Sequence, residues 1–203
     1  TATILNKALE GVKAADPQAQ TELIHLYSHD FSGCVSCFEC KRLGGKSYGK
    51  CAVRDGLTSI LERLADADGI IFGSPVYFHS ITGKMRMFFE RLLFQYFVYD
   101  ADYSSLAPKR MPTAFVYTMN VPYQVMLESH YTESFQSMEL FIGKIFGKPE
   151  TLYVNDTYQF SDYSKYKVEC FSEPDKARQR ERQFPIDCQK AFELGKDLVK
   201  RNS

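Results

Sequence analysis

The sequence predicts an α/β fold, with helices packed on both faces of a parallel sheet. Three observations predict it. Short, continuously apolar runs such as "DGIIFGSP" and "PTAFVYTMN" read as strands covered on both sides. Between them lie longer stretches whose apolar residues recur at helical spacing, and Gly, Pro or Asn closes the strand-like runs. Strands alternating with helices imply right-handed crossovers and a parallel sheet.

The 203 residues suit one domain large enough to bury a core. Lys plus Arg number 25 against 25 for Asp plus Glu, a balance that calls for neither nucleic acid nor an anionic membrane surface. No apolar run reaches the roughly 18–20 residues of a spanning helix. With no signal peptide read at the start, the cysteines are expected to work reduced, in a cytoplasm.

A helix opens the chain, carried by Ile4, Leu5, Ala8, Leu9 and Val12. "TELIHLYS" (21–28) alternates like a strand. "GCVSCFECKRLGGKSYGKC" (33–51) has no apolar period and reads as a loop. "RDGLTSILERLADA" puts Leu57, Ile60, Leu61 and Leu64 on one helical face, with Asp55 as N-cap. The strand of "DGIIFGSP" follows, then a helix over "TGKMRMFFERLLFQYF" (82–97) capped by Thr82. Residues 112–120 form a buried strand, "QVMLESHYTESFQSMELFIGKIFG" one helix, and "ETLYVND" (150–156) the last strand. The segment 157–185 reads as a polar and aromatic loop excursion with short structure of its own, and "KARQRERQ" (176–183) as a solvated helical face. "PIDCQKAFELGKDLVKR" is the closing helix. A doubly wound sheet ordinarily begins with a strand, whereas this order begins with a helix, so a first strand is expected to be missing.

In open α/β sheets, ligands sit outside the carboxyl ends of the strands. Two loops lie there. In "GSPVYFHSITGK" (73–84), Gly73 permits a turn, Ser74 offers a hydroxyl and an amide, and Pro75 stiffens the chain. Tyr77 and Phe78 add aromatic faces that suit a flat heterocycle, or that pack under the next helix. The other loop, "YTMNVPY" (117–123), brings the polar groups of Thr118 and Asn120.

Together, "CxxCxxC…C", the amphipathic helix after it and "ADGIIFGSPVYFHSITGKMRMFFER" resemble the flavodoxin-like NAD(P)H-dependent FMN reductases and iron–sulfur flavoproteins over roughly residues 1–150. The resemblance implies a sheet of order 2-1-3-4-5 in a single domain spanning residues 1–203. It implies FMN against Ser74, Pro75, Val76, Tyr77 and Phe78, with Thr118, Met119 and Asn120 on a second ring-side loop. It also implies passage of electrons from NAD(P)H through flavin to a small-molecule or protein acceptor, and a homodimer or higher homo-oligomer. Because flavin chemistry belongs to the cofactor, no catalytic acid or base is named. The family's first strand ends in a phosphate-cradling loop, so about 15 residues are expected upstream, a length set by ordinary strand and loop sizes. Thr1 and Thr3 stand where that phosphate site would end.

Cys34, Cys37, Cys40 and Cys51, spaced C-x2-C-x2-C-x10-C, leave three readings: a 4Fe–4S cluster, a zinc site, or free and redox-active thiols. The iron–sulfur members of the family use a shorter gap before the fourth cysteine. Cys170 and Cys188 each stand alone and read as structural. His25 reads as a core or rim histidine and His79 as a residue near flavin or substrate. The arginines of 176–183 could also meet a 2′-phosphate of NADPH. The nine large apolar residues of the 82–97 helix exceed one buried face and point to a subunit interface. Three functions compete: FMN-dependent reductase, iron–sulfur electron carrier, and non-enzymatic binding module.

Overall fold

The computed structural model describes residues 1–201. Three parallel strands form its centre: β1 (Ile70–Tyr77), β3 (Thr113–Thr118) and β4 (Glu150–Val154). β2 (Ser80–Ile81) folds back antiparallel on β1, giving the order β2-β1-β3-β4. In the parallel ladder Ser74 stands beside Tyr117 and Pro75 beside Thr118, so two strand ends finish level with one another.

β3 is buried along its whole length, as an apolar run covered on both faces requires. Its side chains alternate between two cores. Phe115 and Tyr117 join Phe72, Phe88, Phe89 and Phe135 under the helices α2 (Thr58–Asp66), α3 (Gly83–Tyr96) and α5 (Tyr131–Ile145). Val116 joins Ile4, Ala8, Val154 and Ala191 under α1 (Ala2–Ala15) and α7 (Phe184–Lys200). The sheet is thus covered on both faces.

Residues 21–28 form no strand. Leu26–Ser28 make a single 3-10 turn, and His25 and Tyr27 are exposed. Alternation is only a pattern; a strand also needs a neighbour to take its backbone hydrogen bonds. No strand among the described residues pairs with this segment. Of the order 2-1-3-4-5, the described residues show three parallel strands lying in chain order, with the short antiparallel β2 beside the first of them.

The long helix expected after β3 is two helices, α4 (Tyr123–Glu128) and α5. His130 adopts a left-handed conformation (φ 56°) at the break, and its ring meets the Glu133 carboxylate at 2.8 Å. The excursion at 157–185 contains a 3-10 turn (Tyr163–Lys165) and a helix α6 (Glu173–Arg182). Within α6, Lys176 is buried, so that face is not wholly solvated.

The apolar surplus of α3 is absorbed inside the chain. Met85, Phe88, Phe89, Leu92, Leu93 and Tyr96 are buried and Met87, Phe94 and Phe97 half-buried. The cysteine loop supplies the extra cover, with Phe38 edge-on to Phe94 at 6.1 Å. The helix therefore offers no surplus face from which to argue a subunit interface.

Candidate functional site

Residues Ser74 to Tyr77 are strand rather than loop. Pro75 is tolerated in β1 because only one parallel neighbour flanks it there, and the turn itself is made by Phe78 and His79. Both turn residues have positive φ, 49° and 63°, between the paired Tyr77 and Ser80. That is the geometry of a two-residue hairpin in which Asn and Gly are the favoured residues. The Ser74 hydroxyl donates to the Pro75 carbonyl at 2.7 Å and accepts the Thr82 amide at 3.1 Å. It closes the base of the hairpin, its one donor committed and one acceptor lone pair left over. Thr82 in turn caps α3, accepting the Met85 amide. The tip is left open: Tyr77 is 58% exposed and Phe78 101%. His79 is exposed too, and stacks on Tyr131 at 4.0 Å.

Beside this hairpin ends β3. Thr118 is buried, its hydroxyl 2.5 Å from that of Thr1 at the start of α1. Both line a cavity of about 160 Å³ together with Thr3, Asn155 and Arg180. Met119 is buried, its backbone bonded to Val154 and Thr157, so its side chain serves the core. The Asn120 carbonyl accepts from the Lys176 ammonium, which also pairs with Asp156. Asn120 Oδ1 is buried with no hydrogen-bond partner, an atom that wants a donor. The role of Lys176 was not visible in the sequence, because its run of charges looks like any solvated helix.

The cysteine loop packs on the far half of α3. Cys40 is buried, Cys34 and Cys51 half-buried and Cys37 exposed, and all are free thiols. Burial pushes the Cys40 thiol up, and the nearby sulfurs of Cys51, Cys34 and Cys37 push it the same way against the pull of Lys41. The four donors therefore share one neighbourhood and are right in kind for iron or zinc. Among the described residues, however, no three His, Cys, Asp or Glu side chains are gathered closely enough to hold an ion. A shallow bowl of about 410 Å³ opens in the same loop, lined by Glu39, Arg42 and Gly44 to Ser47. Of the two lone cysteines, Cys188 is half-buried, whereas Cys170 is exposed and packs into no core. His25, exposed, is not a core histidine.

A parallel sheet covered on both faces, with two adjacent strand ends finishing beside an exposed aromatic hairpin, is the arrangement of a doubly wound α/β protein, the class to which flavodoxin-like folds belong. The model of the NADPH-dependent FMN reductase family matches residues 1–123, more than half of the chain, and the chain belongs to that family. An iron-sulfur flavoprotein of Methanocaldococcus jannaschii is 34% identical over 91 residues, 45% of this chain and 44% of the relative. The chain thus spans less than half the length of such curated relatives. Among solved structures, an NAD(P)H:quinone oxidoreductase from Methanothermobacter marburgensis superposes with a TM-score of 0.68 at 16% identity, covering 98% of this chain and 89% of that one. An FMN-dependent NADH-azoreductase from Bacillus anthracis, solved with FMN, gives 0.60 at 13% identity, with coverage of 98% and 89%. At such identities these two speak for the fold alone.

Proposed function

We propose that the chain binds FMN at the paired ends of β1 and β3 and serves an oxidoreductase that takes electrons from NAD(P)H and passes them to a small-molecule or protein acceptor. The carrying observation is one piece of geometry. Exposed Tyr77 and Phe78 stand beside a strand end whose Asn120 Oδ1 is buried and without a partner. An aromatic face and an unmet acceptor fit a planar ring that carries an N–H donor. Bound FMN would supply the two-electron chemistry that links nicotinamide to acceptor.

The chain's own part is to hold and orient. Tyr77 and Phe78 give stacking area, the Ser74 and Thr82 bonds fix the hairpin, and Lys176 holds the Asn120 backbone. Met119 supports the site from within, and the Ser74 hydroxyl holds the hairpin while keeping one acceptor lone pair. Six free cysteines suit a reducing cytoplasm, and no described helix is long and apolar enough to cross a membrane. A homodimer is part of this reading, resting on the exposed Tyr77, Phe78 and Tyr123 instead of α3.

An absorbance spectrum of the purified protein, followed by addition of NAD(P)H under anaerobic conditions, tests it. A flavin spectrum bleached by the nicotinamide is expected. Absence of both flavin and bleaching would mark a non-enzymatic module. The four-cysteine group and the iron–sulfur relative favour a second reading, an iron–sulfur electron carrier. Brown protein with stoichiometric iron and sulfide, both lost in Cys51→Ser while FMN remains, is its signature. Colourless thiol chemistry or bound zinc in that loop would exclude it.

A further inference from the structure

His79 helps turn the tip of the hairpin at φ 63° and reaches across to α5. A left-handed backbone is cheapest for Gly, and Asn, Asp and His enter it more readily than other side chains. Of these, only His carries an aromatic ring. Here the ring is used. It lies on Tyr131 with centroids 4.0 Å apart and planes 27° from parallel. His79 is exposed and enters no core, so the stack does little for the fold as a whole. What it fixes is the place of the tip.

Tyr131 is buried at the start of α5, directly after the left-handed His130. It meets Phe135 edge-on at 6.4 Å, and Phe135 stacks on Tyr117 of β3 at 4.1 Å. The Tyr117 hydroxyl in turn donates to Glu139 at 3.0 Å, one turn further along α5. A line of rings thus runs from the hairpin tip through α5 to the strand that ends in Thr118. The Ser74 bonds act at the base of the hairpin, whereas this line acts at its tip. Tyr77 and Phe78 directly precede His79, so a swing of His79 carries both exposed rings with it.

We propose that His79 is a positioning residue of the candidate flavin site: stacked on Tyr131, it sets where the rings of Tyr77 and Phe78 stand relative to the end of β3. This rests on the reading that FMN binds at these strand ends. The imidazole need touch no ligand; it acts through the backbone of the tip.

FMN is the probe, titrated into the flavin-free chain. Flavin fluorescence reads affinity, and visible circular dichroism of the saturated complex reads how the ring is seated. His79→Asn keeps a side chain suited to the left-handed backbone but removes the ring. It should weaken FMN about two- to tenfold, the worth of an aromatic stack expressed as an affinity ratio, and alter the visible band. His79→Phe restores a ring without nitrogens and should recover most of the affinity and the native band. The thermal midpoint of flavin-free His79→Asn should be no lower than that of native protein. A lowered midpoint with a native visible band would mark a merely structural role and overturn the proposal. In a Tyr131→Leu background, His79→Asn should change affinity less than about twofold, because the stack is already gone. If Tyr131→Leu does not fold, the His79 variants decide. Native affinity and a native band in His79→Asn overturn the proposal while leaving the FMN reading intact. His79→Phe as weak as His79→Asn overturns it too, since the nitrogens and not the stack then carry the effect. Native protein that takes up no FMN overturns both.

Discussion

Two residues carry opposite kinds of burden, and each gives a measurable consequence. Tyr77 is mostly exposed, so its ring does little for the fold. Tyr77→Ala should weaken FMN retention by about 0.5–1.5 kcal/mol, the usual worth of an aromatic stack. Pro75→Gly should weaken it as well, by loosening the end of β1. Equilibrium dialysis reads both, with far-UV circular dichroism unchanged; parent-like FMN binding in both variants would show the ring-side assignment to be wrong. Asp55 is the contrasting case, embedded in the fold. Burial alone would raise its carboxyl, but bonds from Arg91 and the Leu57 amide hold it below the ordinary aspartate value. A depressed folded value means stability that is present above the unfolded value and lost as pH falls through the folded one. The stability gap between native protein and Asp55→Asn should be constant above about pH 5 and shrink below about pH 4. Urea denaturation at several pH values measures it, and a gap that widens on acidification would reverse the sign of the argument. Neither Arg91 nor its bond to Asp55 could be read from sequence. Arg91 sits in "FFERLL" like a solvent-facing residue, and its partner lies 36 positions away.

At the scale of elements, the sequence is most legible where a segment's own pattern decides the outcome. The Thr82 cap, the buried run of β3 and the closing helix α7 needed no outside help. It is least legible where a neighbour decides. Residues 21–28 alternate well but have no ladder, and α4 and α5 part at a left-handed His130 that the apolar spacing runs straight through. The hairpin tip shows a third kind of failure. Phe78 and His79 are poor residues for a turn with two positive φ values, so pattern reading places a loop there rather than a hairpin. Such strain persists at functional positions. Phe78→Gly removes about 1–2 kcal/mol of left-handed strain from a side chain that is fully exposed in the hairpin. It should therefore raise the thermal midpoint of flavin-free protein and lower FMN affinity. A stabilised variant that binds FMN as tightly as the parent would mean the tip takes no part in the site.

Across the whole molecule, the sheet divides two cores of unequal character, and the smaller depends on how closely α1 and α7 approach. A Cβ built on Gly195 would lie 1.9 Å from the Ala8 carbonyl oxygen, and one on Gly11 the same distance from that of Phe192. Both obstacles are backbone, which cannot swing aside as a side chain can. Two effects oppose one another in Gly195→Ala. Helix propensity favours alanine by about 1 kcal/mol. Overpacking at a fixed contact costs about 1–3 kcal/mol, and a 1.9 Å approach to backbone belongs at the upper end of that range. Sterics should win, so Gly195→Ala is expected to destabilise by about 1–2 kcal/mol in urea melts. The damage should also be local to one face. α1 and α7 cover the core of Ile4, Ala8, Val116, Val154 and Ala191, whereas α2, α3 and α5 cover the other. Native-state hydrogen exchange should therefore quicken in α1 and α7 before α2 and α3. Because α1 begins at Thr1, hydrogen-bonded to Thr118 at the strand end, loosening it should weaken FMN as well. The cysteine loop, held by α3 on the opposite face, should keep the thiol reactivity of the parent. Exchange that quickens equally on both faces would show the two cores to be one cooperative unit, with no division at the sheet.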